Sequence, residues 1–211
     1  MTPKLPEASG PREGVCGQGK LLRMLLVGDS SAAGVGVDEQ AQALTGQLLK
    51  RLADRFRIRW KLIAQTGWST ADTRRALRVI PSTSYDIALA ATGVNDITAP
   101  HSLAACLKQH VRLVELLRKR FAAGHILISG LPPVGRFPCL PEPLRSSIGE
   151  RAWRLDHALR FWAREQADCD HIPLDFSVLP EDMASDGFHP GRRIYSLWAE
   201  SATARIMARW N

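Results

Sequence analysis

The stretch Leu25-Leu26-Val27-Gly28-Asp29-Ser30-Ser31-Ala32-Ala33-Gly34-Val35-Gly36 decides the fold. A short apolar run closed by glycine reads as a buried strand, and the small residues after it let the backbone turn tightly and expose what stands at the turn. Ser30 stands there. A serine in such a place is more often a cap than a nucleophile, so its meaning depends on what the rest of the chain brings beside it.

Outward from this strand, Ala41, Leu44, Leu48, Leu52 and Phe56 recur at spacings of three and four, which predicts a helix over 38–56. Arg57 to Ala64 alternates apolar with basic residues, the pattern of an outer strand. The loop Gln65-Thr66-Gly67-Trp68-Ser69-Thr70 follows, with Ser69 and Asp72 spaced to cap the next helix. Asp86 to Thr92 is small, apolar and uninterrupted, as suits a central parallel strand covered on both faces, and it ends at Gly93-Val94-Asn95-Asp96. A helix over 102–122, a strand from His125 to Ser129, a proline-rich loop from Gly130 to Pro143, a helix over 142–167, a strand from Ile172 to Phe176 and a last helix through Ile194, Leu197, Trp198, Ala202 and Ile206 complete the series.

Strand followed by helix, five times over with short connections, predicts crossover helices and a parallel sheet. The expectation is an α/β fold, a three-layer α/β/α sandwich on a flavodoxin-like five-stranded parallel sheet, with its site outside the carboxyl ends of the strands. Residues 1–20, rich in proline and glycine and without an apolar block, read as a flexible leader, and residues 21–211 as one domain.

Composition narrows the function classes. The 45% hydrophobic and 23% charged residues are ordinary for a globular chain, and no apolar run reaches the length of a membrane span, so the expected setting is the cytoplasm. A net charge of +7 invites a nucleic-acid partner. Its distribution argues otherwise: arginines 145, 151, 154, 160 and 164 alternate with Glu150, Asp156, Glu165 and Asp168, as on a solvated helix face, and no nucleic-acid partner is expected. The four cysteines are too dispersed for a metal-ligand pair, and the six histidines show no zinc-binding spacing, so neither metal nor organic cofactor is predicted.

The loops after strands one, two, three and five, carrying Ser30, Gly67, Asn95 and Asp186-Gly187-Phe188-His189-Pro190, share one edge of a doubly wound sheet. Their chemistry is coherent. A serine hydroxyl needs a base within reach and a third group to orient that base, which His189 and Asp186 can supply from one loop. The charge that builds on a carbonyl oxygen during acyl transfer needs donors, and the Ser30 N–H, the Gly67 N–H and the Asn95 amide can converge on it.

The blocks G-D-S-S, T-G-W-S-T, G-V-N-D and D-G-F-H-P, in this order over residues 22 to 210, resemble the GDSL or SGNH hydrolase family of serine esterases and lipases. The resemblance implies Ser30 as nucleophile, Gly67 and Asn95 in the oxyanion hole with the Ser30 N–H, His189 as base and Asp186 as its partner. Ser31 departs from the family name, which has leucine there. The expected activity is hydrolysis of a small acyl or acetyl ester through an acyl-serine intermediate. A thioesterase, a lysophospholipase or an acyltransferase would use the same residues, and a non-catalytic ligand-binding module is the remaining alternative. Leu131, Val134, Phe137, Leu140 and Leu144 are candidates to wall an acyl pocket, with Arg136 placed to meet an anionic head group; Phe137, Leu140 and Arg136 are the named substrate contacts. Asp175, near the end of the fifth predicted strand, is the second candidate to orient His189.

Overall fold

The computed structural model describes residues 5–175 and 179–210. Its centre is a six-stranded sheet: β1 (Glu13–Cys16), β2 (Lys20–Gly28), β3 (Phe56–Ala64), β4 (Ile87–Ala91), β5 (His125–Ser129) and β6 (Cys169–Ile172), in the order β1-β3-β2-β4-β5-β6. From β3 to β6 neighbouring strands are parallel; β1 runs antiparallel to β3. The α/β sandwich is therefore the expected one, but its sheet is mixed and has one strand more than the sequence pattern predicts.

The extra strand lies inside the segment read as a flexible leader. Only four residues long and half exposed, it has no apolar run to betray it, and its pairing comes from the partner strand, with Glu13 opposite Lys61 and their side chains 2.8 Å apart. The chain before it is also tied down. Ala8 is buried, the Ser9 N–H donates to Asp38 O at 2.8 Å, and Arg12 reaches Ala64 O at 2.7 Å.

Alternation along β2 sends Leu25 and Val27 to one face and Leu22, Met24 and Leu26 to the other. The first face is covered by α3 (Thr70–Val79), α5 (Leu103–Phe121) and α6 (Leu144–Arg164), through residues such as Leu77, Leu117 and Leu155. The second receives α2 (Leu44–Leu52) and α7 (Arg192–Arg209), through Leu48, Tyr195 and Ala202. Two short helices, α1 (Ser30–Ala33) and α4 (Val94–Thr98), stand at the carboxyl ends of β2 and β4.

Two boundaries move. The helix expected over 38–56 spans only Leu44–Leu52: the Gln40 amide is spent on the carbonyls of Ala33 and Ala8, at 2.8 and 3.2 Å, and holds the chain before it in turns, while Phe56, read as part of its stripe, opens β3. The last strand lies at Cys169–Ile172, N-terminal to the expected Ile172 to Phe176, whose final residue falls outside the described residues. Its polar members Asp170 and His171 are tolerated because each has a fixed partner, His125 at 2.8 Å and Asp156 at 2.8 Å.

Candidate active site

The sheet delivers four loops to one edge, three of them contributing side chains and the Gly67 loop its backbone. β2 ends at Gly28, Asp29 caps α1 by accepting the Ser31 N–H at 2.9 Å, and Ser30 becomes the first residue of that short helix, 8% exposed. A first-turn N–H has no partner within its own helix, so the Ser30 amide is available to an oxygen lying beside its hydroxyl. The loop before α7 supplies His189, whose Nε2 is 3.0 Å from Ser30 Oγ and whose Nδ1 is 2.6 Å from Asp186 Oδ2.

Local hydrogen bonds hold this pair in register. Asp186 Oδ1 accepts the N–H groups of Phe188 and His189 at 2.9 and 3.0 Å, while the Ala184 N–H donates to His189 O at 2.9 Å. Burial pushes the Asp186 carboxyl up, but the His189 ring and the two backbone N–H groups outweigh it and hold the group below the ordinary carboxylate value. Asp175 is exposed; it is Asp186 that meets the imidazole.

On the opposite side, Gly67 has a φ of +85° and nothing within 4 Å of where a side chain would begin, so its backbone turns toward open space. Asn95, in α4, donates one amide hydrogen to Trp68 O at 2.9 Å, which ties the two loops together and leaves the second hydrogen free. The capping box expected at Ser69 and Asp72 is formed and fixes the start of α3 directly after Gly67.

A cavity of about 40 Å³ opens between these loops. Asp29, Ser30, Ser31, Thr92 and Asn95 form its polar side, and Phe137, Leu174, Met183, Phe188, Ile194 and Trp198 its apolar side. Of the three substrate contacts expected from the sequence, Phe137 lines the cavity, its ring 5.5 Å from that of Phe188 and nearly perpendicular to it. Arg136 and Leu140 do not line it. Arg136 is exposed to solvent, and Leu140 is partly buried against the core. Met183, Leu174, Ile194 and Trp198 carry no local signal that sets them apart from core residues; only the fold brings them to the cavity. Among the described residues no group of three His, Cys, Asp or Glu side chains is arranged to hold a metal ion, and no helix is long and apolar enough to cross a membrane.

Asp29 is the electrostatic exception at this edge. Burial drives its carboxyl up to about 7, opposed by the Ser31 N–H and reinforced by the charge of Asp96. The folded chain thus binds this proton more tightly than the unfolded one, and the stability it contributes is complete below the ordinary carboxylate range and lost as pH rises through about 7. Asp29→Asn keeps an oxygen for the Ser31 N–H, so it should raise Tm relative to the parent at about pH 8.5, with the difference vanishing near pH 4. Calorimetry across that range checks it; a Tm difference that does not vary with pH would mean the carboxyl is not held protonated by the fold.

A model of the GDSL-like lipase/acylhydrolase family matches residues 26–197, which includes all four loops. The chain belongs to this family. Within it, a GDSL-like esterase of Mycobacterium tuberculosis is 29% identical over 192 residues, covering 85% of this chain and 60% of the relative's own length. The solved structure of a lipolytic G-D-S-L protein from Veillonella parvula superposes with a TM-score of 0.69 at 15% identity, covering 90% of this chain and 99% of that one. TesA also superposes at 0.69, with 21% identity over 88% of this chain and 98% of its own. At such identities the likeness of the GDSL structures is one of fold.

Proposed function

We propose that this GDSL family member is a serine ester hydrolase acting on short acyl esters, with Ser30 as nucleophile, His189 as general base and Asp186 orienting the imidazole. The continuous chain from Ser30 Oγ to His189 to Asp186, at 3.0 and 2.6 Å, carries the reading. Ser30 Oγ attacks the carbonyl carbon and its proton passes to His189 Nε2. The carbonyl oxygen becomes an oxyanion facing the Ser30 N–H, the Gly67 N–H and the free Asn95 amide hydrogen. Collapse of this intermediate expels the alcohol, which takes the proton from His189. Water then repeats the attack on the acyl-serine, with His189 again the base, and releases the acid.

Cavity size supports a short acyl chain. At about 40 Å³ the cavity beside Ser30 is far smaller than the pockets that take drug-sized ligands, which favours a short acyl group. An ester series of rising acyl length, run beside acetylated sugars and an acyl thioester, tests the reading. kcat/KM should be greatest at two to four carbons; a preference for long chains, or for the thioester alone, would overturn it. Phe137→Ala removes one apolar wall and should move the optimum to longer chains with little loss on acetyl esters, read from the same series.

Asn95→Ala should lower kcat by about 10²-fold or more, because its amide acts on charge that develops only in the transition state. The lost bond to Trp68 O should also cost about 1 kcal/mol of stability. Steady-state kinetics beside a denaturant titration separates the two effects, and a kcat within a few-fold of the parent would reduce Asn95 to a loop tie.

A further inference from the structure

Behind the Gly67 and Asn95 loops lies a buried polar cluster that the proposed mechanism does not use, one member of which, Thr92, also lines the cavity. Thr70, the first residue of α3, places Oγ1 2.8 Å from Asp96 Oδ2, 2.9 Å from Thr92 Oγ1 and 3.3 Å from His110 Nε2. Thr92 Oγ1 is also 3.3 Å from His110 Nε2, and Asp96 Oδ2 accepts the Thr70 N–H at 3.0 Å. All four side chains are buried, with Thr70 fully so and His110 2% exposed.

The cluster joins the two loops from the rear. Thr70 stands three residues after Gly67, while Thr92 and Asp96 bracket Asn95. His110 comes from α5, part of neither loop, and its Nδ1 lies 3.0 Å from Cys106 O. Since a carbonyl can only accept, Nδ1 carries a proton, which fixes the ring orientation and turns Nε2 onto the two hydroxyls. Gly93 makes room for it. A side chain there would begin 3.2 Å from Nε2, at a backbone φ of +126° that side-chain-bearing residues rarely adopt.

We infer that His110 is a positioning residue for the oxyanion donors, acting through Thr70, Thr92 and Asp96 to set the separation of Gly67 and Asn95. The inference rests on the oxyanion role proposed for those two residues. Without the Nε2 acceptor the Thr92 hydroxyl must turn to Thr70 in a buried site, and the contacts from Thr70 to Thr92 and Asp96, which with the bond from Asn95 to Trp68 O join the two loops, readjust. Donors displaced by a fraction of an ångström lose their effect on the transition state before they lose any on substrate binding.

Two substitutions separate the ends of the ring. His110→Asn can keep the bond to Cys106 O but not the reach to the hydroxyls, whereas the longer side chain in His110→Gln can restore that reach. His110→Asn should lower kcat by about 10- to 100-fold with KM within a factor of two. His110→Gln should recover most of the loss, and on the Asn95→Ala background His110→Asn should cause little further loss. Thr92→Val breaks the same link without altering α5 and should reproduce the kcat effect if His110→Asn folds poorly.

Amide spectra of uniformly ¹⁵N-labelled protein supply a reading that needs no substrate: the Gly67 backbone and Asn95 side-chain signals should move in His110→Asn and return toward the parent in His110→Gln. Unmoved signals, or losses that multiply with Asn95→Ala, would overturn the inference. So would equal kcat losses in the Asn and Gln variants that merely follow Tm. A parent inert toward every ester would overturn the hydrolase reading while leaving the spectral result to decide the role of His110.

Discussion

Ser30→Ala should lower ester hydrolysis by about 10⁵- to 10⁶-fold, while Ser31→Ala should keep activity within about tenfold of the parent. The two serines are neighbours on one short helix and both line the cavity, so residue type and place in the chain do not separate them. Geometry does. Only Ser30 Oγ lies 3.0 Å from His189 Nε2, and only a hydroxyl so paired can be deprotonated as it attacks. Ser30→Ala leaves the oxyanion donors and the cavity in place, which is why a small residual rate over water is expected. A phosphonate ester should label the parent and Ser31→Ala once per chain and leave Ser30→Ala unlabelled, as mass spectrometry of the modified peptide can show. Labelling on Ser31, or hydrolysis retained in Ser30→Ala, would remove Ser30 from the proposed role.

Long-period patterns made most of the fold legible. The run ending at Gly28 and the apolar block ending at Ala91 are buried strands because helices cover both faces of the sheet, and a chain with water on neither side shows no alternation. The α5 stripe through Leu113, Val114, Leu117 and Phe121 is readable because a single face is buried. β1 was hidden for the opposite reason. Its strand character comes from the edge of β3, a partner more than forty residues away, and four half-exposed residues contain no hydrophobic period to announce it.

The site divides along the same line. Ser30, Gly67 and Asn95 stand just past strand ends, and Asp186 and His189 in the loop that leads into α7, so short motifs point to them and the parallel topology brings them to one edge. Cavity walls have no such mark. Met183 and Ile194 look like ordinary core residues in the sequence, and Arg136 and Leu140, chosen from a proline-rich loop, stay off the cavity while their loop buries Val134 and Phe137. The His110 cluster was equally hidden, since its four residues come from three segments far apart in the chain; their meeting depends on α3 and α5 packing side by side.

Asp186→Asn should lower kcat/KM by about 10³- to 10⁴-fold through the tautomer of His189. Asp186 Oδ1 already accepts two backbone N–H groups, so the asparagine must keep its oxygen on that side and turn its NH₂ toward the imidazole. Facing a donor, Nδ1 can only accept. The ring proton then sits on Nε2, opposite Ser30 Oγ, where it cannot take the hydroxyl proton. The stability effect has a definite sign. Because the Asp186 carboxyl is held below its ordinary value, it contributes stability that is complete above the unfolded carboxylate range and is lost as pH falls through the folded value. The parent should therefore exceed Asp186→Asn in Tm at neutral pH, and the gap should close in strong acid. In the parent, Asp186 is held ionised down to below the ordinary carboxylate range, so a fall in activity above that range is not the loss of this carboxylate. A pH–rate profile of both enzymes, paired with Tm at each pH, distinguishes these effects. Near-parent turnover in Asp186→Asn, with the acid limb unmoved, would mean that the 2.6 Å contact to His189 serves the loop and not the proton transfer.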